Sequence, residues 1–250
     1  MYDWLFSKFW LLESERNDDR VNAYRRQVWP EVKGKVLDLG PGYAQSLELL
    51  TMSEISSYVA LEPNPFMYEK LQANAEKCGF SVEYDKLSYP EGKSESADQS
   101  GVPFKIVRGV LDDRKTIPQA VLDNAPYDTV LTSFSLCSAK NINATLDNIV
   151  RLLKPGGAHV FIEHVRHPPR DDPHVVEDNG INARFWGIVQ DIINPVWSVC
   201  GKGCHCNLET GKIIAATEGW ESVNYKSVRP AEALPSRIMP LTFGKAIKSA

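Results

Sequence analysis

The sequence predicts an α/β protein: a doubly wound, largely parallel sheet of seven strands, helices on both faces, and a helical lid at the N-terminus. Three observations carry this. Short apolar runs alternate with stretches of helical spacing from residue 35 to residue 165, as in a parallel sheet with crossover helices. The first run, Lys35-Val-Leu-Asp38, breaks at Gly40 and Gly42 before Gln45-Ser-Leu-Glu-Leu-Leu50, which reads as strand, tight turn, helix. Beyond residue 165 the alternation stops and proline and charge take over.

The elements follow in order. Residues 1–12 are aromatic, without a basic leader or a small-residue cleavage site, and read as a helix closing over the domain rather than a signal peptide. Residues 13–19 are charged and read as a turn. Val21, Tyr24, Val28 and Trp29 suit a helix ended by Pro30, so residues 1–30 form the expected lid. After the first strand, Tyr58-Val-Ala-Leu-Glu62 is a second, ending in an acid before Pro63. Residues 64–79 read as a helix with Phe66, Met67, Leu71 and Ala75 on one face. Residues 84–102 are polar and aperiodic, an exposed insertion. Residues 104–108 form the third strand, and 127–137 the fourth with its exit. The helix over 143–153 is stopped by Lys154-Pro-Gly-Gly157. The fifth strand, 158–162, runs into Glu163 and His164. Residues 166–179 are a loop and 184–197 an amphipathic helix, so 166–215 reads as a cap beside the site. Residues 222–228 and 242–248 close the sheet as an antiparallel pair, and the chain, 1–250, reads as one domain.

The glycine turn at the carboxyl end of the first strand is where such a sheet binds a nucleotide-like cofactor. A phosphate-binding loop is excluded because Gly42 is followed by Tyr-Ala-Gln and not Lys-Ser/Thr. A dinucleotide site is disfavoured because Gln45 stands at the third glycine position. Asp38-x-Gly40-x-Gly42 resembles the first motif of class I S-adenosylmethionine methyltransferases, with Ala44 in place of the usual third glycine. That cofactor carries no phosphate, and its ammonium suits an acid and loop carbonyls. Glu62, at the end of the next strand, is placed to accept hydrogen bonds from both ribose hydroxyls.

Composition narrows the partners. Hydrophobic residues make up 43% of the chain, enough for a core, and a net charge of −4 argues against nucleic acid as a partner. No apolar run is long enough to span a bilayer; contact of the N-terminus with a membrane surface is the less favoured reading. Five cysteines without secretory features point to reduced thiols in the cytoplasm. No sequence feature points to an oligomeric state.

Further along, Ser135-Leu-Cys-Ser138, Arg151-Leu-Leu-Lys-Pro-Gly-Gly-Ala158, Phe161-Ile-Glu-His-Val165, Trp186 with Gln190, Asn194-Pro-x-Trp197, Cys206-Asn-Leu208 and Phe243-Gly-Lys-Ala-Ile-Lys248 resemble the methyltransferase-like 7 group, whose members are linked to thiol S-methylation. The likeness departs at the N-terminus, where the group carries a longer membrane-anchoring segment, and in the polar insertion. It implies a Rossmann-like fold and a cofactor site of Asp38, Gly40, Pro41, Gly42 and Tyr43 in the turn; Glu62, Pro63, Asn64 and Phe66 after the second strand; Val110 and Leu111 after the third; and Ser133 and Phe134 after the fourth. Where the family often holds an acid against the adenine amine this chain has Val110, so that work falls to Asp112 or to a backbone group.

The acceptor is expected to be a small, largely apolar molecule, a thiol first. A thiolate is nucleophilic near neutral pH and needs little base catalysis, whereas a hydroxyl needs a positioned base. The candidate base is His164, with Glu163 fixing its tautomer or holding the substrate. Phe134, Trp186 and Trp197 are candidate pocket walls. Cys200, Cys204, His205 and Cys206 lack the spacing of a paired structural zinc site and are read as packing in a small turn, with no metal expected. Cys137 is read as a buried structural cysteine beside the methyl channel. Two other readings stay open on the same fold: an O- or N-methyltransferase of a small metabolite or lipid, and a non-catalytic binding protein.

Overall fold

The computed structural model describes residues 2–85, 101–180, 182–229 and 238–250; the predicted insertion falls largely on 86–100, outside them. A single nine-stranded sheet runs β3-β4-β2-β1-β5-β6-β9-β8-β7. Its strands are β1 Gly34–Leu39, β2 Ile55–Leu61, β3 Phe80–Tyr84, β4 Val102–Val107, β5 Tyr127–Ser133, β6 Leu153–His164, β7 Val175–Glu177, β8 Trp220–Val228 and β9 Leu241–Lys248. The pairs from β3 to β6 are parallel, and β9 lies antiparallel between β6 and β8.

Helices cover both faces, and strand periodicity sorts the core between them. Val36, Tyr58, Ala60, Leu131, Val160 and Ile162 face one cluster with Trp29, Leu71 and Phe243. Their sequence neighbours Leu37, Val59, Leu61, Val130 and Phe161 face the other, with Ile149 and Ile214. α1 (Tyr2–Val28) and α2 (Tyr68–Lys77) supply the first layer; α3 (Gln119–Asn124), α4 (Ile142–Leu152) and α6 (Thr210–Ala216) supply the second. α5 (Ala183–Cys200) crosses the carboxyl end of the sheet.

The structure corrects several expectations. The sheet has nine strands, because β3 and the three-residue β7 extend the edges. Residues 13–19 continue α1, which runs unbroken for 27 residues; the stretch holds no Gly or Pro, and charge alone does not end a helix. The segment after the glycine turn is a 3-10 helix, Gln45–Leu49. Phe66 is exposed in a 3-10 turn that Asn64 caps; Tyr68, Leu71 and Ala75 form the buried face. The amphipathicity of α5 is inverted. It buries Gly187 and Gln190, and leaves Phe185, Ile188, Ile192, Val196 and Val199 on the surface. Gln190 is the hub: it accepts from His167 N and donates to the carbonyls of Val165, Cys206 and Ile238.

Candidate active site

β1 ends in the glycine turn because the path there needs left-handed backbone. Gly40 and Gly42 stand at φ +64° and +60°, and Ala44, at the third position of the motif, is also left-handed at φ 51°. A Cβ on Gly42 would come 3.1 Å from Trp10 Nε1 of the overlying α1. The turn is latched to β2: Gly40 N donates to Leu61 O, and Gly42 N donates to Glu62 Oε2 at 2.9 Å. Glu62 Oε1 accepts from Asn64 N at 2.7 Å. Each carboxylate oxygen keeps a lone pair for a further donor. Burial pushes the Glu62 carboxyl up to about 7, opposed by the amides of Asn64 and Gly42.

A cavity of about 390 Å³ opens between this turn and α1, within the range of small-molecule sites. Of the expected residues, Gly40, Gly42, Glu62, Pro63, Asn64, Val110, Leu111, Ser133, Phe134 and His164 line it. Asp38, Pro41, Tyr43, Phe66 and Glu163 do not. Asp38 lies beneath the turn, where Oδ2 accepts from Tyr58 at 2.5 Å and Oδ1 is buried without a partner. Burial raises Asp38 to about 7 against that hydrogen bond. Tyr43 donates to Ser7 O of α1 at 2.7 Å. Asp112 lines the cavity and accepts from Thr145.

α1 closes the roof, and its Asp3 joins two elements of the cavity rim. Asp3 O accepts from Asn64 on the β2 side, while the Asp3 carboxylate pairs with Lys202 at 2.7 Å on the α5 side. Phe6, Phe9 and Trp10 give an aromatic ceiling, with Trp10 edge-on to Phe134. Arg25, which the sequence reading passed over, is buried; it donates to Ser133 Oγ and sits 5.7 Å above the Phe134 ring. Its only advance signal was a cation inside a helical apolar pattern.

At the far end the wall is Phe134, His164, Trp197, Cys204 and Met239. Trp186 is not on it. Phe134 stacks on His164 with ring centres 4.3 Å apart. Glu163 is buried and turned to the backbone, accepting from the amides of Ser135, Leu136 and Cys137 at 3.3, 3.2 and 3.4 Å. Burial raises it to about 7. The cysteines regroup. Cys204 meets not Cys200 but Cys137, Sγ to Sγ at 3.3 Å. That shared hydrogen bond pulls Cys204 down and pushes Cys137 up, with burial adding to the rise at Cys137. Cys137, Cys204 and a His164 ring nitrogen lie within 4.8 Å of one another. A second cavity, about 800 Å³ and lined by Arg166, Arg170 and Arg184, includes none of the glycine-turn residues.

A nine-stranded, mainly parallel sheet, a glycine turn latched to an acid at the next strand end, and an aromatic-roofed cavity between them define the class. A family model described as a methyltransferase domain matches residues 13–206. The chain belongs to this family and is a methyltransferase that uses S-adenosylmethionine. It is 24% identical over 243 residues to the rat thiol S-methyltransferase TMT1B, covering 93% of this chain and 82% of that protein. It is 26% identical over 194 residues to the yeast mitochondrial methyltransferase OMS1, covering 76% of this chain and 35% of that one. The fold matches a Thermotoga maritima S-adenosylmethionine-dependent methyltransferase, described as a possible histamine N-methyltransferase, with TM-score 0.55 and 15% identity, across 99% and 100% of the two chains.

The residues present fit this cofactor. A Cβ would crowd Ser135 at Gly40 and Trp10 at Gly42, so the two glycines keep the turn open, and Glu62 has free acceptor capacity in the cavity wall. No described helix is long and apolar enough to cross a membrane.

Proposed function

We propose that the protein methylates the sulfur of a small, largely apolar thiol. The reading is carried by one observation: the cavity runs from Glu62 to a far end walled by Phe134, Trp197, Met239, His164 and Cys204, an apolar seat with soft, sulfur-compatible polar groups. The likeness to thiol S-methyltransferases over 93% of the chain supports it.

S-adenosylmethionine supplies an electrophilic methyl on a sulfonium. Glu62 accepts from the ribose hydroxyls, Gly40 and Gly42 let the cofactor approach the backbone, and Asp112 with Leu111 borders the adenine. Asp38 acts beneath the turn, its carboxylate biasing the methionine end toward the ammonium. Pro41, Tyr43, Pro63, Asn64 and Phe66 shape the loops around these groups, and Ser133 and Phe134 border the methyl. His164 meets the acceptor sulfur and favours its thiolate form; Glu163 holds the turn opposite through three amides. In-line alignment is most of the catalytic work, because the attack neutralises the sulfonium. The aromatic ceiling of α1 and Trp197 excludes water and suits a cation. We take residues 1–250 as one catalytic unit, with 1–30 as lid and 166–215 as acceptor-side cap, acting in the cytoplasm where its free cysteines stay reduced.

The test is methyl transfer from labelled cofactor to a panel of small thiols, phenols and amines, with cofactor affinity measured alongside. Turnover confined to thiols is expected. Turnover on phenols or amines alone would replace the thiol reading with O- or N-methylation, and cofactor binding without turnover on any class would favour a binding protein.

A further inference from the structure

Three ligating side chains reach the acceptor end of the cavity from distant parts of the chain. Cys137 lies in the turn after β5, His164 is the last residue of β6, and Cys204 follows α5. One donor atom from each lies within 4.8 Å of the other two. Two sulfurs and an imidazole are a donor set for zinc-type ions, and three protein ligands with one open position are the pattern of catalytic rather than structural zinc. On a tetrahedral ion with Zn–S bonds of about 2.3 Å, two thiolates stand about 3.8 Å apart. The observed sulfur separation is 3.3 Å, so only a small opening is needed.

The surroundings are built to hold this arrangement. Cys137 and Cys204 are buried, and His164 Nδ1 is buried with no hydrogen-bond partner. The two cysteine turns are tied by His205 N donating to Cys137 O at 2.8 Å. Asn194 of α5 bonds to His205 Nδ1 and accepts from Cys206 N, each at 3.0 Å. Glu163 fixes the Cys137 turn from below. Such outer contacts orient ligands before an ion arrives. His164 and Cys204 line the cavity and Cys137 does not, so the open side faces the acceptor.

We propose that Cys137, His164 and Cys204 bind a zinc-type divalent cation whose fourth position takes the acceptor sulfur. The inference deepens the thiol reading and rests on it: coordination is how His164 favours the thiolate. The acceptor S–H proton passes to solvent as sulfur binds the ion. A sulfur lone pair then forms the new C–S bond, while the pair of the breaking C–S bond stays on the departing S-adenosylhomocysteine. The neutral thioether product is a weak ligand and leaves.

The experiment titrates cobalt(II), as a spectroscopic stand-in, into the full chain freed of metal and kept reduced. One equivalent should bind with thiolate-to-cobalt charge-transfer bands and the visible bands of four-coordinate cobalt. A small alkyl thiol should shift those bands. Cys137→Ser and Cys204→Ser should each weaken cobalt binding by tenfold or more, while Cys200→Ser leaves it unchanged; retained cofactor affinity shows that the variants fold. Absence of cobalt binding, binding indifferent to these substitutions, or no thiol-induced shift overturns the proposal. So does a Cys137–Cys204 disulfide in protein purified without reductant, if the reduced protein has no cobalt affinity; the pair is then a redox device. Full thiol turnover by chelator-stripped protein overturns the metal role and leaves thiol methylation standing. Bound cobalt that responds to thiol, in a protein that methylates no thiol, keeps the site and sinks the thiol reading.

Discussion

The two ends of the cavity are assembled differently. The cofactor end comes from the exits of three strands adjacent in the sheet: the turn after β1, Glu62 after β2, and residues 109–112 after β4. The acceptor end joins Phe134, His164 and Cys204, carried by β5, β6 and the turn after α5, under a roof from α1. The first end depends on backbone conformation and one carboxylate. The second depends on how α1 and α5 dock. Substitutions should therefore separate into those that lose cofactor and those that lose acceptor.

The largest effect is expected from Gly42→Val. A branched side chain at φ +60°, aimed at Trp10, should lower cofactor affinity by about 100-fold or more, with calorimetry as the readout and circular dichroism as the folding check. Unchanged affinity would remove the glycine turn from the site. On the proposed assignment of Glu62 to the ribose, Glu62→Ala should cost about 1–3 kcal/mol of cofactor binding, and the Gly42 and Asn64 amides lose their acceptor as well. Trp197→Ala tests the opposite end. It should raise KM for the thiol, by about 1 kcal/mol or more in apparent binding, while leaving cofactor affinity alone. Equal loss of both would mean the two ends are one unit.

A smaller effect follows from the buried acids. Glu62 and Asp38 are each held near 7 in the fold, against 4.5 and 3.8 as ordinary carboxyls. Below about pH 3 both states keep these protons and the groups contribute nothing. As pH rises toward about 7 the unfolded chain ionises first, so cofactor-free stability falls across that window. Thermal melts between pH 5 and 7 should show it, with a shallower slope in Glu62→Gln. The smallest expected effect is Ala44→Gly. Relief of a left-handed alanine should stabilise by about 1 kcal/mol, or roughly 2–4 °C in Tm, without touching cofactor affinity.

By itself the sequence determined the strands β1, β2 and β4 to β6, the helices α2 and α4, the glycine turn, the acid at Glu62 and the antiparallel closing pair. These are local: period-two burial, left-handed backbone that favours glycine, and stop signals such as Lys154-Pro-Gly-Gly157 act within a few residues. What only the tertiary structure decided was non-local. Cys200, Cys204 and Cys206 are neighbours in sequence, yet the contact that forms is Cys204 with Cys137, 67 residues away, because α5 lays its carboxyl end against the exit of β5. α5 read as an amphipathic helix, which does not say which face turns inward. Its polar face turns inward, where the two amide N–H groups of Gln190 are shared among three buried carbonyls that no apolar side chain could serve. Asp38 and Glu163 looked like site carboxylates, yet their side chains point under the loops, where Tyr58 and three amides need an acceptor. Which way a buried polar group points depends on the partners that the rest of the fold leaves unpaired, and no local pattern encodes that.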